Sequence, residues 1–159
     1  MRSLEPLLDA AIATLKSELP TRIGVVNQEY TGFVLPVPDT DAYYAGGLST
    51  YLKFPSVEVA APDWNLANPS LAQVTWEGTA QVMARVIWQH MDFDTLHRGM
   101  LRYSRCLAEV LSGQDCFGVG QTVTSLRGFV RFNPETGERE EFIAGALVVC
   151  QLDVVEASP

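Results

Sequence analysis

Across residues 73–91 the chain alternates. Val74, Trp76, Gly78, Ala80, Val82, Ala84, Val86 and Trp88 hold the even positions, while Thr75, Glu77, Thr79, Gln81, Arg85 and Gln89 stand among the odd ones. Successive side chains of a strand point to opposite faces, so Gln73 to Met91 predicts an amphipathic strand, or two, with one face on a core and one largely polar. As a single strand it would run roughly 60 Å at about 3.3 Å per residue, longer than the roughly 3 to 10 residues of an ordinary strand. The pattern therefore predicts a break at Glu77-Gly78. A glycine inside a strand pattern marks either a hairpin turn or a bulge, and both fit here.

The remaining elements follow from the same periodicities. Leu4, Leu7, Leu8, Ala11, Ile12, Leu15 and Leu19 recur at helical spacing behind a capping Ser3, which predicts a first helix ending near Pro20. Arg22 to Gln28 then reads as a short strand. Gly32 to Thr50, punctuated by Pro36, Pro38, Asp39, Asp41, Gly46 and Gly47, predicts a long loop with Tyr43 and Tyr44 exposed at its middle. Pro55 opens a strand through Val57 and Val59, and a second loop, Pro62 to Pro69, carries Trp64. Asp94 is the candidate cap of a second helix whose apolar face is Leu96, Met100, Tyr103, Leu107, Val110 and Leu111, with Gly113 as its stop. A strand over 121–132, a turn at Asn133 to Glu138 and a strand over 139–155 form a hairpin. The nearly all-apolar run Phe142 to Val149 suits a central position, covered on both faces. The order predicts an α+β fold: a mostly antiparallel β-sheet with two α-helices packed on one face.

Composition narrows the classes. A chain of 159 residues fits one domain. The net charge of −8, with only two lysines, argues against a grip on nucleic acid, which needs clustered cations. Acidity serves solubility, or it makes a surface over which DNA passes without sticking. Cys106, Cys116 and Cys150 have no metal-site spacing and form an odd number, which fits reduced thiols in the cytoplasm. Glu5 and Asp9 interrupt the N-terminus, so no signal peptide is expected. No window approaches 18 uninterrupted apolar residues, so no membrane-spanning helix is expected.

Candidate chemistry is sparse. His90, Asp92, Asp94 and His97 form the chain's His-carboxylate cluster, but a helix cap, a turn residue and two surface histidines account for them better than a metal does. Gly118-Val119-Gly120 lacks a third glycine and precedes a strand, so it offers no phosphate cradle. No Gly-x-Ser-x-Gly elbow exists, and Cys106 on the second helix reads as a small buried hydrophobe. The chain is expected to have no catalytic residues, metal or cofactor. Binding is better supported. Tyr43, Tyr44 and Trp64 are residue types enriched at interface hot spots, against the alternative that they fold back on the domain. Gln81, Arg85 and Gln89, on the polar face of the long strand, are candidates for contact between subunits. If part of that strand projects, its backbone can add to a neighbour's sheet.

In the order of its parts the chain resembles the tail terminator and tail-completion proteins of long-tailed bacteriophages. The resemblance is carried by Leu4-Glu5-Pro6-Leu7-Leu8 leading to Leu19-Pro20, by Phe54-Pro55-Ser56-Val57-Glu58-Val59, and by the alternating strand. It continues through Leu107-Ala108-Glu109-Val110-Leu111 and the closing hairpin with Gly145-Ala146-Leu147-Val148-Val149. It implies a virion protein, assembled in the host cytoplasm, that forms a homohexameric ring on the tail tube protein, stops tube growth and meets the head-tail connector. DNA would pass through the lumen without specific binding. The long loop at 32–50 and the reach of the alternating stretch depart from the family pattern. Two alternatives stand beside this expectation: a head-completion or adaptor protein of the same neck, and a small cytosolic α+β ligand-binding protein.

Overall fold

The computed structural model describes residues 5–46, 53–67, 75–113, 122–133 and 142–157. Helical spacing persists well past the point where Pro20 was expected to end the first helix. Leu7, Ala11, Leu15, Leu19, Ile23 and Val26 are all buried along one face of α1 (Glu5–Glu29), which runs through Pro20. A proline inside a helix costs roughly 3 kcal/mol. Burying two more aliphatic side chains returns about 1.5–3 kcal/mol each, so Ile23 and Val26 outweigh it and Arg22–Gln28 is helix, not strand.

The sheet has five strands in the order β1-β2-β3-β5-β4. They are β1 (Tyr43–Ala45), β2 (Ser56–Ala67), β3 (Thr75–His90), β4 (Thr122–Asn133) and β5 (Phe142–Ala157), with α2 (Phe93–Leu111) between β3 and β4. Only the β1–β2 pair is parallel. The fold is thus the α+β arrangement expected. The strand assigned to Phe142–Val149 is central, between β3 and β4. Its second face is only partly covered: Ile143, Gly145 and Val149 are half-buried.

β3 is unbroken. It pairs residue for residue with β5 from Thr75↔Ala157 to His90↔Phe142, so Glu77-Gly78 is neither a hairpin turn nor a bulge. The length is supported by β5 all along and by β2 from Glu77 to Ile87, which satisfy much of its backbone. The irregularities fall on the partners instead, between Ala60 and Asp63 of β2 and between Val123 and Ser125 of β4. The β2–β3 connection and the predicted turn at 134–138 lie outside the described residues, as does Cys116.

Both helices contribute to one core with the even-numbered residues of β3 and β5. Leu15, Leu19, Leu96, Met100, Tyr103 and Leu107 meet Val57, Val59, Val82, Ala84, Val86, Ala146, Val148 and Cys150. At the start of α2, Asp92 is the N-cap, not Asp94, and its carboxylate accepts the Thr95 N–H at 2.7 Å. Asp94 sits inside the first turn and pairs with Arg98 four residues on. Where Gly99 of α2 crosses the sheet, a Cβ would meet Trp88 Cζ3 at 2.3 Å, so only glycine permits this approach.

The segment expected as a free loop is held down. Asn27 of α1 donates to Leu35 O and accepts from Leu35 N, Arg102 of α2 donates to Thr31 O and Phe33 O, and Tyr103 donates to Pro36 O. The chain then enters β1, which joins the sheet beside β2.

Candidate functional site

Strand parity divides the sheet into two faces with different chemistry. Even residues of β3 and β5 face the helices. Odd residues face away, together with Ser56, Glu58, Ala60 and Asp63 of β2 and Arg127, Phe129 and Arg131 of β4, by the registers across the sheet. One row on this helix-free face crosses every strand: Tyr44, Glu58, Arg85, Leu147 and Phe129.

In the middle of that row Arg85 Nε donates to Glu58 Oε2 at 2.7 Å, and Arg85 Nη2 donates to the same oxygen. Glu58 is only 4% exposed, so this is a carboxylate taken out of water and held by its partner. Arg85 is therefore a structural residue of the sheet before it is anything else. The predicted candidates Tyr44, Gln81, Arg85 and Gln89 do share this face, each half-buried. Tyr43 does not. It is buried on the helix side, not exposed in a loop, and desolvation pushes its phenol up to about 12. Trp64 is 47% exposed but lies in β2, not a loop, opposite Ala80 on the helix-side face.

Trp64 belongs to a second feature, an arm. Among the side chains whose burial is described, the last buried core pair on β3 and β5 is Ala80 with Leu152. Beyond it, Thr75–Thr79 still pairs with Asp153–Ala157, and Glu77–Thr79 with Asn65–Ala67. Five further rungs extend about 17 Å at roughly 3.3 Å per residue. Asn65, Glu77 and Asp153 are exposed there, and Asp63 and Trp64 are exposed at its root, opposite Gln81 and Ala80.

Groups that might do chemistry are committed elsewhere. His90 Nδ1 accepts the Asp92 N–H at 2.9 Å, and the Asp92 carboxyl is lowered from its ordinary value by its hydrogen bond to Thr95. His97 stacks edge-on against Phe93. Among the described residues no three His, Cys, Asp or Glu side chains come together as metal ligands. Burial pushes the Cys106 thiol up to about 11, which keeps it protonated at neutral pH and a poor nucleophile. A cleft of about 250 Å³ is lined by Tyr30, Arg98, Leu101, Arg102 and Arg105. Its guanidiniums are engaged: Arg98 with Asp94, Arg105 with Glu29 and Glu109, and Arg102 over the Phe33 ring.

Sequence reasoning missed Glu58, Phe129, Arg127 and Arg131. A charged residue at the centre of the apolar run Ser56-Val57-Glu58-Val59 was the available signal for the first. The others depend on β4 being an edge strand, which is a matter of topology.

The class the structure defines is an α+β protein whose sheet turns one face to two helices and the other to a row of buried and half-buried residues, edged by the exposed Arg127, Phe129 and Arg131. No family model and no curated protein matches the chain. Among solved structures it is similar to a chain from the virion of a native gene transfer agent (GTA) particle, with a TM-score of 0.39 and 13% identity over 88% of this chain and 95% of that one.

Proposed function

We propose that the chain is a structural virion protein of a long-tailed phage, a tail terminator that closes into a homohexameric ring, caps the tail tube and joins it to the head connector. The reading begins from the family resemblance of the sequence pattern. The observation that carries it further is the unbroken Thr75–His90 strand, whose last rungs leave the helix-covered core as an arm. Ordering a strand costs conformational entropy, which a neighbouring subunit laid against it would offset. The mechanism is geometric: identical subunits related by rotation, each offering one surface to the next, close when the rotation sums to a full turn. The negative balance of the chain supports a lumen that does not retain DNA.

The ligand-binding alternative is the weaker one. The Tyr30–Arg105 cleft is below the usual roughly 300–1,000 Å³ of small-molecule sites, and two of its three cations, Arg98 and Arg105, pair with carboxylates. Mass by light scattering, with negative-stain imaging, tests the proposal. Rings of six subunits that bind the ends of purified tail tubes are expected. A monodisperse monomer that leaves tube growth unaffected would overturn it.

A further inference from the structure

The helix-free face is electrically divided. On the arm, Asp63, Glu77 and Asp153 are exposed and share that face by register, and none has an ion-pair partner among the described residues. On β4, the edge strand, Arg127 and Arg131 are exposed on the same face, also without an ion-pair partner among the described residues, and Phe129 between them is 39% exposed. These two arginines pair in register with Val149 and Gly145. That places them about 13 and 26 Å along the sheet from Asp153, at roughly 3.3 Å per residue. The Debye length is about 8 Å at physiological ionic strength, so the two patches do not neutralise each other within one subunit.

Acids without an ion pair at one end of a face are complementary in sign to two arginines at its edge, of which Arg127 lies with its guanidinium carbon 5.6 Å from the centre of the exposed Phe129 ring. A net charge of −8 opposes the approach of two copies unless it is locally organised, and here it is. We propose that the occupant of the β4 face is a second copy of this chain, whose arm sets Asp63, Glu77 and Asp153 against Arg127 and Arg131. Phe129 supplies the apolar centre of the contact, and the charges steer the approach and fix the register. The contact rests on the self-assembly reading above and names the surfaces that carry it.

The experiment is a reciprocal charge swap on the full chain, read by sedimentation velocity at low and high salt. One variant carries Arg127→Glu and Arg131→Glu, the other Asp63→Lys and Glu77→Lys. All four positions are exposed, so both variants should melt with the wild type, and circular dichroism checks this. Each variant alone should lose the assembled species, and an equimolar mixture should regain it, because each arm then meets an edge of opposite charge. Wild-type assembly should weaken as salt rises. An assembly that survives both swaps, or one lost in each variant and not regained on mixing, would overturn the inference and leave the ring proposal standing. A dimer that follows the swap pattern would support the inference and overturn the ring. A wild type that is monomeric at every concentration would overturn both.

Discussion

β3 passes through two environments, and the contrast between them organises the molecule. From Ala80 to Trp88 its even side chains are almost wholly buried under two helices. From Thr75 to Thr79 the hydrogen-bonded ladder continues, and the side chains described there, from Glu77 to Thr79, are exposed or half-buried. The backbone is the same in both halves, so regular pairing alone does not say which part holds the fold together. Buried area does, and among the described side chains it is concentrated from Ala80 to Trp88.

Substitutions at the two ends of the strand should separate these roles. The largest effect is expected from Val82→Asp or Val86→Asp, which place a charge in the fully buried row and should cost about 4 kcal/mol or more, enough to unfold the chain in a urea titration. Arg85→Met should come next. It removes the arginine partner of the Glu58 carboxylate at 4% exposure and should cost about 3 kcal/mol in the same titration, with Glu58→Gln/Arg85→Met recovering part of the loss. Gly99→Ala forces a methyl group into Trp88 and should cost about 2 kcal/mol, accompanied by a change in tryptophan fluorescence. On the arm, Trp64→Ser should move the monomer's stability by no more than about 0.5 kcal/mol while weakening assembly in light scattering. If it destabilised the monomer as much as the core changes do, the division between the halves would fail.

The smallest effect concerns acid. Asp92 has its carboxyl lowered in the folded state by the Thr95 hydrogen bonds, so the stabilisation is present above the unfolded carboxylate value and is lost as pH falls through the folded one. Asp92→Asn retains a capping oxygen without titrating. Thermal melts of the variant should therefore show a flatter decline on the acid side than the wild type.

What was legible in the sequence follows from how local each signal is. The alternation of β3, the helical stripe of α2 and the β4–β5 hairpin are set by neighbouring residues, and these elements lie where the pattern puts them. Pro20 misled because a local breaker was outweighed by Ile23 and Val26, whose burial depends on the sheet and α2 being in place. Gly78 misled because its strand is held by partners on both sides. Tyr43 looked exposed among prolines and glycines, yet β1 carries it under Lys16, whose Nζ lies 5.8 Å from the ring centre. The Arg85–Glu58 pair joins residues far apart in sequence, and no pattern of either segment alone reveals it. The shared face of Tyr44, Gln81, Arg85 and Gln89 was half legible: the parity of β3 was clear, while the position of β1 was not.

The extended segment between α1 and β1 has no secondary-structure ladder to protect it, but Asn27 closes both backbone groups of Leu35. In deuterium-labelled solvent the Leu35 amide should therefore persist as a slow signal among rapidly exchanging neighbours. Because its acceptor is a side chain of α1, the lifetime of that single proton reports how often the end of the first helix lets go of the chain that follows it.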